Sequence, residues 1–114
     1  MTTNAPEIIR NVSYTQLSVA RHYGGCTFQG RDYRYCPVDD TLIRADVLAA
    51  RKEWRVIRGG ENDGPDEWLG GVYRTRAAAM KAARADRSGR LVALWGPSGV
   101  VLGLWLKDGE AVQP

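Results

Sequence analysis

Leu91-Val92-Ala93-Leu94-Trp95-Gly96-Pro97-Ser98-Gly99-Val100-Val101-Leu102-Gly103-Leu104-Trp105-Leu106 is the most apolar stretch of the chain, and how it is read decides the fold. Gly96-Pro97-Ser98-Gly99 interrupts it, so it is two strands joined by a tight turn. It also falls short of the roughly 20 unbroken apolar residues that a membrane-spanning helix needs. On the first strand Leu91, Ala93 and Trp95 share one face, and Val92 and Leu94 the other. On the second, Val100, Leu102, Leu104 and Leu106 alternate with Val101, Gly103 and Trp105. Both faces of the hairpin are therefore apolar. A sheet covered by helices on one side hides only one of them. The second face needs a cover, from elsewhere in the chain or from another molecule. Trp95, Val101 and Trp105 are accordingly the candidate residues of an interface with a second copy of the chain or with a partner protein.

Upstream of this hairpin, Thr75 is placed to cap a helix over about 76–86, rich in Ala and Arg and stopped by Ser88-Gly89. Trp68 to Tyr73 reads as a strand, residues 59–66 as a polar loop, and Trp54 to Arg58 as another strand. Ile43, Val47, Ala50 and Trp54 recur at spacings of four, three and four, which predicts a helix over about 40–52 capped by Asp39 or Asp40. Cys26–Gln29 and Asp32–Cys36 form a hairpin whose turn Gly30-Arg31 suits a type II′ geometry. Ser13-Tyr14-Thr15-Gln16 is a capping box for a helix over about 14–23, ended by Gly24-Gly25.

The expected fold is α+β: a small single domain, residues 13–114, with an antiparallel sheet built from hairpins and about three helices packed on it. Residues 1–12 are expected to be a flexible N-terminal tail. The 114 residues suit one domain, and 44% apolar with 25% charged residues is an ordinary globular balance. The first residues carry neither a basic nor an apolar leader pattern, so no membrane association and a cytoplasmic location are expected. Thirteen of the sixteen basic residues are Arg, which with abundant Ala and Gly fits a GC-rich bacterial genome or a mobile element within one.

The net charge is +3, too small to imply nucleic acid unaided. Residues 1–60 hold nine basic and six acidic side chains, residues 61–114 seven of each, so the surplus lies in the first half. Three constellations could carry chemistry. The first is His22, Cys26 and Cys36, with Asp39 or Asp40 nearby. The two Cys flank a hairpin turn and should meet across it, as reduced thiols, as a cross-strand disulfide or as metal ligands, although the spacing matches no established zinc pattern. The second is a stripe on the predicted second helix, Arg44, Arg51 and Arg55 bordered by Lys52, which could contact phosphates or form a solvated face paired with Asp46 and Glu53. The third is Arg31, Tyr33, Arg34 and Tyr35, where aromatics beside Arg could stack bases or pack across strands.

P-loop, G-x-G-x-x-G, C-x-x-C and H-E-x-x-H patterns are absent, and a single His gives little material for a triad. No cofactor and no enzymatic activity are expected. Two function classes follow. One is a non-enzymatic protein-binding, adaptor or inhibitor-type protein acting through surface contacts, including self-association. The other is a nucleic-acid binder using the basic stripe and the Arg/Tyr hairpin.

Overall fold

The computed structural model describes residues 5–60 and 64–112, apart from the side chains of residues 102 and 103. The α+β class is as expected, with three helices and antiparallel strands among the described residues. The strands form two sheets instead of one. Strands β1 (Ile8–Ile9), β2 (Gly25–Phe28), β3 (Arg31–Cys36) and β4 (Thr41–Arg44) make a four-stranded sheet in the order β1-β4-β3-β2. Strands β5 (Trp54–Arg58), β6 (Glu67–Tyr73), β7 (Leu91–Gly96), β8 (Gly99–Lys107) and β9 (Glu110–Ala111) make a five-stranded sheet in the order β6-β5-β7-β8-β9.

The side chains stack in layers. Helix α1 (Tyr14–Tyr23) covers the outer face of the four-stranded sheet, where Ala20 packs with Tyr33, Tyr35 and Leu42. Helix α3 (Arg76–Ala85) covers the outer face of the five-stranded sheet through Ala79 and Ala83, which lie on Val56, Val92, Leu94 and Leu106. The small alanines let that helix sit close to the sheet. Between the two sheets lies a third core of Cys36, Ile43, Ile57 and Trp95. Helix α2 (Ala45–Arg51) connects the sheets and adds Leu48 to this layer.

That middle layer answers the question posed by the last hairpin. The second face of β7 is covered by the other sheet of the same chain. Trp95, 2% exposed, is interior, and its indole Nε1 donates to the Tyr35 carbonyl at 3.4 Å. The expectation of Trp95 at an intermolecular surface is thereby corrected. Val101 also changes sides: a register shift between Ala93 and Trp95 lets it pack with Leu104 and Leu106 against the α3-side core. Trp105 pairs with Ala93 and stays half-buried. Gly96 is required by close approach, since a Cβ there would lie 2.5 Å from the Trp54 ring.

Local signals hold best where they are strongest. Ser13 caps α1 by accepting from the Gln16 N–H, and Thr75 caps α3 by accepting from Ala78. The first hairpin turns at Gln29-Gly30, not at Gly30-Arg31, because Phe28 pairs with Arg31. Both turn residues have positive φ, 51° and 72°, which makes it a type I′ turn, the hand that matches strand twist. The second helix starts five residues later than its spacing predicts. Thr41-Leu42-Ile43 is β-prone and buried on both sides, Leu42 towards α1 and Ile43 towards the other sheet. Leu48 is 1% exposed, while Ala50, expected in the core stripe, is exposed. The N-terminal segment is also not simply a tail. Ile8 and Ile9 pair with Ile43 and Leu42, and Tyr33 donates its hydroxyl to the Pro6 carbonyl at 2.6 Å. Residues 1–4 lie outside the described residues.

Candidate polyanion-binding surface

The residues singled out for nucleic-acid contact are dispersed by the fold. Tyr33 and Tyr35 are 0% and 7% exposed beneath α1, so neither offers a ring to a base. Arg44 ends a strand, pairs with Asp46 at 2.6 Å and donates to the Ala5 carbonyl. Arg34 and Arg55 lie half-buried on strands of different sheets. Arg34 lies against Gly99 at the β7–β8 turn, and the Arg55 guanidinium stacks over the Trp68 indole 4.0 Å from its centroid. Arg31 sits at the exposed start of β3. Only Arg51 and Lys52 of the predicted stripe stay together in the open.

The thiols do not meet across the hairpin. Cys26 pairs with Tyr33 and Cys36 with Thr41, and both are free. Burial pushes both thiols above their ordinary pKa. His22 is exposed and stands edge-on to Tyr23. Among the described residues no group of three His, Cys, Asp or Glu could hold a metal ion, and no helix is long and apolar enough to cross a membrane.

A different arrangement emerges at the α3 end. Trp54 of β5 pairs with Tyr73 of β6, so the residues just before Trp54 come beside those just after Tyr73. Lys52, in a left-handed conformation, ends α2 there. Arg51, Lys52 and Arg74 line one cleft together with Glu53, Val72 and Tyr73. Two residues beyond Arg74, α3 begins. Along it, Arg76, Lys81 and Arg84 line a depression with Ala77 and Met80, Lys81 on the side of the helix opposite the buried Ala79 and Ala83 and Arg76 at its first turn. The six cations form a belt from the end of α2, across the β6–α3 turn, and along about 12 Å of helix at 1.5 Å per residue from Arg76 to Arg84.

Four basic residues of the chain, Arg21, Arg44, Arg58 and Arg90, form ion pairs among the described residues, and the belt cations are among those that do not. The ion pairs among the described residues join Arg21 to Asp40, Arg44 to Asp46, Arg58 to Glu67 and Asp86, and Arg90 to Glu67. None uses a belt cation. The first turn of α3 carries Arg76 and no acidic residue. A cation at that end opposes the helix dipole, at a cost of about 0.3–1 kcal/mol. Sequence reading missed the belt because its members come from both halves of the chain. Comparison with protein-family models, with curated proteins and with solved structures finds no match to this chain.

Proposed function

We propose that the protein is a non-enzymatic binding module that holds nucleic acid by its phosphate backbone, using Arg51, Lys52, Arg74, Arg76, Lys81 and Arg84. One observation carries this reading: six neighbouring cations with no ion-pair partner among the described residues. Phosphates neutralised by such a surface release counterions, so affinity should fall linearly with salt on logarithmic axes. With four phosphates engaged, the slope is about −4. Two unbridged thiols suit a reducing compartment, which supports a cytoplasmic location.

The test is fluorescence anisotropy of a labelled mixed-sequence oligonucleotide, titrated at several salt concentrations. Arg74→Glu combined with Lys81→Glu should weaken binding at least tenfold while the thermal melt is retained. An affinity that ignores both the charge reversal and the salt would overturn the reading.

A second reading, a protein partner, is favoured by the outer face of α1, where Tyr14 and Tyr23 are 84% and 69% exposed. Rings so open are used at contacts more than in isolated domains. Tyr14→Ala with Tyr23→Ala should abolish any self-association or partner capture of this kind, and a mass in solution that these changes leave unaltered would count against it.

A further inference from the structure

Taking the phosphate-binding reading as its basis, we infer that the belt is built for double-stranded nucleic acid and not for single strands. A protein that holds single strands needs aromatic platforms on which unpaired bases stack, interleaved with its cations. The one aromatic that lines the belt, Tyr73, is half-buried and packs, like Trp54 and Leu69, against the core beneath α3. Trp68 and Trp95 lie in the layer between the sheets. The exposed tyrosines, Tyr14 and Tyr23, stand on α1, which covers the opposite outer face of the molecule. Val72, 52% exposed, is the large apolar residue in the open at the belt, and it has no π-face to offer.

The scaffold points the same way. The cations are mounted on a helix and beside a strand pairing, Trp54 with Tyr73, so their backbone positions are fixed. A duplex presents one negative charge per roughly 1.7 Å of axis, a single strand one per roughly 3.4 Å. A fixed row of cations therefore meets about twice the charge density on a duplex, whose backbone is itself rigid. A flexible single strand would have to give up conformational freedom to follow the belt, with no stacking to offset that loss. Double-stranded DNA and RNA share this chemistry.

The experiment compares a labelled 20-base-pair mixed-sequence duplex, in DNA and in RNA form, with each of its strands alone, by anisotropy at one low salt concentration. The expected result is at least tenfold tighter binding of one or both duplexes, and the tighter of the two names the natural source. Equal or tighter binding of the single strands overturns this inference and leaves phosphate binding standing. If neither form binds, phosphate binding itself fails, and this inference with it. As a second measurement, Tyr14→Ala with Tyr23→Ala should leave duplex affinity within twofold of the parent; a tenfold loss would show that stacking on α1 matters and would overturn the duplex reading.

Discussion

The two outer faces of the molecule use charge in opposite ways. On the α1 side, Arg21 reaches across to the β3–β4 turn, donating to the Tyr35 hydroxyl at 3.2 Å and to both Asp40 carboxylate oxygens at 3.1 Å. Tyr35 in turn donates to Asp40, so a cation, a carboxylate and a phenol lock a helix to a turn. On the α3 side the helix is held by apolar contacts, with Ala79 and Ala83 buried and Met80 and Ala82 packed beside them, and its cations Arg76, Lys81 and Arg84 are exposed without an ion pair among the described residues. Charges that are paired fasten elements together. Charges left unpaired beside one another repel, a repulsion that salt screens and an anionic ligand relieves. The first arrangement belongs to the architecture; the second is the surface proposed above to hold a ligand.

The strongest way to break this contrast is to remove the layer that joins the two faces. Trp95→Ala should destabilise the fold by about 3–5 kcal/mol, because it empties a fully packed site between the sheets. Urea denaturation followed by far-ultraviolet circular dichroism checks this. A single cooperative transition is expected in both parent and variant. Two separated transitions would mean that each sheet folds with its own helix, and the contrast would then be between two independent units.

A smaller effect is expected from cutting the lock on the α1 side. Asp40→Asn should cost about 1 kcal/mol, kept low because the ion pair is half open to solvent. Hydrogen bonds from Tyr35 and Arg21 hold the Asp40 carboxyl below its usual range. Its contribution is therefore present above the unfolded pKa and is lost as pH falls through the lower folded value. Burial, with Asp40 as acceptor, pushes the Tyr35 phenol up to about 12, so that contribution is complete below the ordinary tyrosine pKa and disappears as pH rises through about 12. Stability measured against pH should thus be flatter at both extremes in Asp40→Asn. A variant with the same acid and alkaline limbs as the parent would show that the lock contributes nothing to stability.

The smallest change sharpens the contrast most. Arg76→Glu replaces a cation that opposes the α3 dipole with an anion that favours it, and should raise stability by up to about 1 kcal/mol. The same substitution should weaken nucleic-acid binding several-fold. Gain in the melt together with loss in binding is the signature of a residue kept for a ligand at the expense of the fold. A variant that is less stable and binds as before would place Arg76 in the architecture instead.

Much of the fold was legible from neighbouring residues. The Ser13 and Thr75 caps, the β7–β8 turn at Pro97-Ser98 and the strand at Trp54–Arg58 each rest on interactions within a few positions along the chain. The segment from Thr41 to Arg44 was misread because Ile43 and Val47 sit four apart, a spacing that suits a helix. Both residues do reach the layer between the sheets, one from a strand and one from the helix that follows. Periodicity reports that residues share a buried side, and it does not report which backbone brings them there. The Cys26–Cys36 pairing failed for a related reason: the turn lies at Gln29-Gly30, and β3 runs on past the end of β2 to pair with β4. A shift of one residue in a turn re-assigns every partner along the hairpin.

Caps, turn residues, strand alternation and the apolar excess of residues 91–106 are properties of local sequence, and they determined the α+β class. They also determined that the last hairpin needs a cover on both faces. Which surface provides the second cover, and which cations end up as neighbours, depends on residues far apart in the chain meeting in space. Two of the seven acidic residues of the second half, Glu67 and Asp86, pair with Arg58 and Arg90, while Arg51 and Lys52 arrive from the first half to join Arg74, Arg76, Lys81 and Arg84. Net charge is additive along a chain, but Coulomb interaction depends on distance. For that reason a chain of modest charge, evenly balanced over its second half, can still bring together cations that have no ion pair among the described residues.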